Sequence, residues 1–353
     1  MANSNLKELK SFGQQIWLDS LSRSLIERGT LAQYLDLGVS GVTSNPTIFY
    51  QSIHNDTLYK DDVHWLKKQN LSAKERYEHL AIADIIQACD LLLPIYEQSG
   101  ANAGFVSLEV SPKLSHDPEG TVLEAKRLWQ KINRPNAMIK VPATAAGIIA
   151  ITELISLGIN VNVTLLFSRK QTLAVYHAYC TGLKIRQENG GKINTIKLVA
   201  SFFLSRIDHA LDQQLPIHIQ GRTAISLAKV AYQDWMAFCS QPVFAQLNSL
   251  GAQMPSLLWA STTTKNPNYS DVMYLDNLIG NHTVNTVPEK TLQAFLDHGT
   301  AKISLIEGIP DAYQILDEVQ KLGIDLEQLA EQLQKDGLEQ FNTAFKQLLE
   351  LLR

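Results

Sequence analysis

The chain has 353 residues, of which 45 % are apolar and 19 % charged, with a formal net charge of −4. This composition supplies a large buried core and excludes a disordered chain, a coiled coil and a disulfide-stapled miniprotein. The small acidic excess speaks against a domain that grips a nucleic-acid backbone, yet leaves room for small anionic substrates that need one or two local cations.

The first thirteen residues are polar and hold no apolar run, so no secretory leader is expected. Residues 14–20 form the first of eight short apolar runs and are the least strand-like of them. Residues 21–37 carry Leu and Ile at helical spacing and stop at Gly38. The second run is 39–45, followed by a polar insertion, 51–70, placed between that strand and its helix at 73–99. Runs at 103–110, 137–143, 159–165 and 196–203 alternate with helical patterns at 118–132, 145–157, 169–188 and 222–238. The seventh and eighth runs are 256–262 and 283–288. Several runs are rich in β-branched residues and bounded by Gly, Asn or Pro, as buried strands are. Residues 311–353 read as a helical tail whose Phe341, Phe345, Leu348, Leu349 and Leu352 share one face that packs on the body of the protein.

Strand and helix alternating eight times is the arithmetic of an α/β fold, a (β/α)8 TIM barrel with additional C-terminal helices, as one domain over 1–353. A doubly wound sheet fits less well, because eight strands occur with no Gly-rich first turn. The most apolar stretch, 147–167, is broken by Glu153, Asn160 and Asn162, so no membrane span is expected and the default is a cytoplasmic protein. Cys89, Cys180 and Cys239 are too widely spaced for a zinc site or a disulfide framework, and no GxGxxG, Walker A or HExxH motif occurs.

In such a barrel the reacting groups stand at the C-terminal ends of the strands. Read there, the runs offer Asp19 and Ser20, then Thr43, Ser44 and Asn45, then Glu109, Lys140, Asn162 and Thr164, Ser201 with Arg206 beyond it, and Ser261 and Thr262 with Lys265 beyond them. Lys140 is the most informative, because "AMIKVPAT" is otherwise apolar. A buried ammonium without a partner costs several kcal/mol, on the order of 5, so this lysine is either paired or neutral. A neutral amine is a nucleophile that condenses with carbonyls. Glu109 reads as its counter-ion or as a proton relay, and Asp19 as a helix cap or an acid–base group. Asn162 and Thr164 read as a polar barrel layer, and Arg206 and Lys265 as surface cations or a site for an anionic group such as phosphate.

The segments "WLDS", "GVTSNPTIF", "VSLEVSP", "IKVPAT", "NVNVTLLFS", "ASFFLSRID" and "LWASTTTKNP" stand in order on successive strands, and together they resemble the transaldolase family in its longer bacterial variety. The resemblance covers residues 14–298, and the tail fits it. It implies that Lys140 forms the Schiff base and that Asp19 handles the donor hydroxyl proton. Glu109 and Thr164 would position a water. Asn45 and Asn162 would hold sugar hydroxyls, and Ser201, Phe203 and Arg206 would line the sugar-phosphate site. Lys265 stands where shorter members carry a second phosphate-binding arginine, and Phe202 where they often have proline. The implied activity is transfer of a dihydroxyacetone unit between sugar phosphates, with no metal or organic cofactor, in a monomer or homodimer that binds neither nucleic acid nor membrane. Two other readings are a fructose 6-phosphate aldolase, whose members tend to carry glutamine at the Glu109 position and tyrosine at the Phe203 position, and a catalytically silent barrel.

Overall fold

The computed structural model describes residues 5–353 and closes eight parallel strands into a barrel in chain order. They are β1 (Gln14–Leu18), β2 (Val39–Thr43), β3 (Phe105–Glu109), β4 (Ala137–Pro142), β5 (Val161–Leu166), β6 (Leu198–Phe203), β7 (Ser256–Ala260) and β8 (Thr283–Val287). The TIM-barrel expectation is met, and each strand falls inside or within a residue of its apolar run. The untypical β1 is a strand because it closes the barrel, pairing β8 from Gln14↔Thr283 to Leu18↔Val287. Closure leaves no edge unpaired, so tertiary pairing overrides weak local preference.

The register sets the site. Glu109 pairs with Lys140 across β3 and β4, and Lys140 with Asn162 across β4 and β5. Side chains alternate along a strand, so these three share one inward layer. Between β5 and β6 the register slips, Val163 facing Ala200 and Leu166 facing Phe202. Thr164 and Leu165 therefore both stand against Ser201, a bulge that bends the strand at the barrel mouth.

Two helical expectations change. The stretch read as one helix over 21–37 is two, Arg23–Glu27 and Thr30–Leu37. They part at Gly29, whose φ of +75° lies in the left-handed region that a helix cannot pass through. The segment 51–70 lies between β2 and the helix Ala73–Gln98 and is itself largely helical. A helix, Pro46–Asn55, starts directly on β2 with Asn45 as its cap, and a turn at Thr57–Tyr59 and a helix Lys60–Lys67 follow. A buried knot ties this segment to the body. Arg23 Nε meets Asp84 Oδ1 at 3.2 Å, the Tyr59 hydroxyl donates to Asp84 Oδ2 at 2.6 Å, and Arg23 also pairs with Asp62.

The long helix Ala73–Gln98 has the length and composition of a membrane span. Its Leu80, Ile85, Ala88 and Leu92 are nonetheless fully buried in the protein's own core. The tail forms two helices, Ile309–Lys321 and Leu326–Leu351. The second buries Leu338, Phe341, Phe345 and Leu348. It does not lie on the barrel's flank but over the strand ends, where Gln334 Nε2 reaches the carbonyls of Ala143 and Leu165. Its far end is held by Arg76, which donates to the Leu352 carbonyl at 2.8 Å.

Candidate active site

At the C-terminal ends of the strands is a cavity of about 120 Å³, lined by Asp19, Thr43, Asn45, Lys140, Ser201, Phe203, Arg206, Ser261, Thr286 and Phe341. Larger hollows exist, such as one of about 570 Å³ beside Arg169 and Tyr313. That one lies at the tail helices and is lined by none of the strand-end residues singled out in the sequence.

Lys140 is 5 % exposed, donates to the Ser44 carbonyl at 3.1 Å and lies 3.8 Å from Glu109 Oε2. The pairing demanded by its burial is present. Burial pushes the Glu109 carboxyl up from its ordinary 4.5 to about 7, with Lys140 pulling it down and Asp19 pushing it further up. Glu109 Oε2 and the Thr164 hydroxyl are both buried without a hydrogen-bond partner. A buried polar atom left open costs roughly 1–3 kcal/mol, so the open Glu109 oxygen beside the buried amine, and the open Thr164 hydroxyl on the neighbouring strand, each call for a partner.

The neighbouring groups are fixed by the barrel layer. Ser201 donates to Asn162 Oδ1 at 2.7 Å, and Asn162 Nδ2 donates to Ser107 at 3.1 Å. These contacts set which way the amide faces. Asp19 accepts from the Thr43 hydroxyl at 2.7 Å. Thr43 has spent its one hydrogen there, so the 2.6 Å contact with Thr286 is a donation from Thr286. The following helix is capped by Ser22, which accepts from Leu25 N. Asp19 is thus no helix cap, and its carboxylate lines the cavity. Asn45 combines two roles, since Oδ1 caps Ile48 N at 3.0 Å while the residue lines the mouth.

Arg206 sits 5.5 Å over the Phe203 ring, and its Nη1 is buried without a partner. Burial lowers its pKa, with Asp336 opposing, but a guanidinium stays charged at any ordinary pH. An unspent charged donor of this kind suits an anionic group.

Lys265 does not join the set. It is exposed and lines a separate cavity of about 200 Å³ with Asp208, Tyr269 and Tyr274. The chain leaves β7 through Ser261 in the left-handed region, φ +54°. The hydroxyls of Ser205 and Ser261 then meet at 2.8 Å between the two cavities. Of the two cations read at the mouth, Arg206 lines this cavity and Lys265 the adjoining one. Thr286 and Phe341 were not among the sequence candidates. Thr286 could have been found as an inward position of the last strand; Phe341 could not, because its apolar spacing reads as core.

A (β/α)8 barrel with a buried lysine against a carboxylate in its C-terminal mouth is the architecture of an enzyme that condenses an amine with a carbonyl substrate. Comparison narrows this class. A family model described as Transaldolase/Fructose-6-phosphate aldolase matches residues 16–352, and the chain belongs to that family. It is 57 % identical over 344 residues to a protein named Transaldolase from Neisseria meningitidis serogroup C, covering 98 % of both chains. It is 46 % identical over 351 residues to Transaldolase of Thiobacillus denitrificans, covering 97 % of this chain and 98 % of that one. Transaldolase 2 of Nostoc sp. is 40 % identical over 371 residues, covering 100 % of this chain and 97 % of the relative.

Proposed function

We propose that the protein is a transaldolase that moves a dihydroxyacetone unit from sedoheptulose 7-phosphate to glyceraldehyde 3-phosphate, giving erythrose 4-phosphate and fructose 6-phosphate. The carrying observation is the Lys140 amine, buried at the mouth between the Ser44 carbonyl and Glu109.

Lys140 attacks the ketone, and loss of water gives an iminium, with Glu109 and a water held by Thr164 moving the protons. The proton of the donor's C4 hydroxyl passes to Asp19 as the bond between C3 and C4 breaks. The electrons of that bond neutralise the iminium and leave an enamine on Lys140. The aldose phosphate departs as an aldehyde, and the acceptor reverses the steps. The iminium is the electron sink, so the scheme needs no metal or organic cofactor. Asn45 and Asn162 hold sugar hydroxyls, and Ser201, Phe203 and Arg206 face the phosphate. We also read the chain as one folding unit, cytoplasmic, monomeric or homodimeric, with sugar phosphates rather than nucleic acid or membrane as partners.

The test is borohydride reduction in the presence of fructose 6-phosphate, followed by peptide mass mapping. The expected result is a reduced three-carbon adduct on Lys140, absent from the folded Lys140→Arg variant. An adduct on another lysine, or none, refutes the assignment. The aldolase alternative predicts cleavage independent of an aldose acceptor. Glu109 and Phe203 stand against it, where those enzymes tend to carry glutamine and tyrosine.

A further inference from the structure

The bulge in β5 falls at the residue that follows Thr164. Leu165 is fully buried with φ at +61°, a left-handed conformation that a leucine adopts only where its surroundings enforce it. An extra residue in a strand re-aims the side chains around it, and here Thr164 and Leu165 together face Ser201. The enforcement comes from the far end of the sequence. Gln334 Nε2 donates to the Leu165 carbonyl at 3.1 Å and to the Ala143 carbonyl, at the end of β4, at 3.0 Å. Ala143 N in turn donates to the Thr164 carbonyl at 2.9 Å. One side-chain amide thus spans the ends of the strand that carries Lys140 and the strand that carries Thr164.

The helix can come this close because position 337 is glycine. A Cβ there would fall 2.7 Å from Leu165 Cδ2 and 3.2 Å from Arg206 Nη1. One turn further on, Phe341 lines the mouth itself.

We propose that Gln334 is a positioning residue. By holding the Leu165 carbonyl it fixes the β5 bulge, and the bulge aims the unpartnered Thr164 hydroxyl at the amine site. The C-terminal helix is then a working part of the catalytic unit rather than added core. The inference rests on the assignment of Thr164 to the dehydration step.

The experiment is a double-mutant cycle on the full chain with Gln334→Met, which keeps length and removes the donors, and Thr164→Ala. Gln334 is half-buried, so Gln334→Met folds; circular dichroism and the Tm check this, and Gln334→Ala serves as a second variant. Gln334→Met is expected to lower kcat about 10-fold with KM for fructose 6-phosphate unchanged within about two-fold. The rate at which the borohydride-trapped adduct forms falls by the same factor. In the Thr164→Ala background, Gln334→Met has no further effect. If Thr164→Ala is slow but Gln334→Met has wild-type kcat, or if the two losses multiply, Gln334 does not act through Thr164 and the inference fails while the Thr164 assignment stands. If Thr164→Ala itself keeps wild-type kcat, both fall.

Discussion

Titration of Glu109 gives the sharpest quantitative test of the site. Glu109 Oε2 lies 3.8 Å from the Lys140 amine, and its carboxylate form is the nearby base for the proton released when the amine attacks. Protonation of Glu109 as pH falls through about 7 removes that base. With a single titration near 7, the competent fraction is about 0.9 at pH 8 and about 0.1 at pH 6, so kcat/KM falls about ten-fold between them. The same shift is a stability term. A carboxyl raised from 4.5 to about 7 in the folded state favours folding below its unfolded value and loses that contribution as pH rises through 7. The span is about 2.5 units, or on the order of 3 kcal/mol. Glu109→Gln keeps the shape and cannot ionise. Urea unfolding of both proteins from pH 4 to pH 8 is expected to shift in favour of the variant by up to about 3 kcal/mol as pH rises. The variant's residual activity is expected to lose the limb near 7. A stability gap that stays flat from pH 4 to pH 8, together with a kcat/KM profile that breaks near 4.5, would refute the argument that burial governs this carboxyl.

Three further variants test how the elements divide the work. Arg206→Ala is expected to raise KM for phosphorylated sugars at least ten-fold, as loss of a charge-assisted contact of about 1.5–3 kcal/mol implies, and to spare unphosphorylated analogues. Lys265→Ala, outside the mouth, is expected to change KM by less than about two-fold; steady-state kinetics on both variants decide this. Asp84→Asn leaves Arg23 and Tyr59 without their shared anion in the buried knot beneath the segment 46–67. Breaking such a pair costs about 3–5 kcal/mol, read as a fall in the urea midpoint at unchanged m-value.

How much of this was legible in the sequence follows from the range of the forces involved. Strands and helices are set by side-chain periodicity over five to twenty residues. The helix at 169–188 and the later runs could therefore be read directly, whereas β1 owes its strand form to pairing with β8. Their alternation fixes a parallel barrel, and the barrel dictates that Asp19, Lys140, Asn162 and Ser201 converge. Burial of a lysine in an apolar strand is likewise a local signal, and Lys140 carried it. Other decisions depend on contacts hundreds of residues apart. That Arg206 lines one cavity and Lys265 the adjoining one depends on the path of the chain beyond β6 and β7, which distance from a strand end does not record. Whether Asp19 caps a helix was decided by Ser22 doing so instead. Phe341 and Gln334 reach the mouth because the last helix crosses the strand ends, and an apolar or amide side chain at helical spacing carries no mark of what lies beneath it. Local pattern names the elements and the reactive groups; the closed register and the placement of the tail, which require every strand to be present at once, decide which of those groups meet.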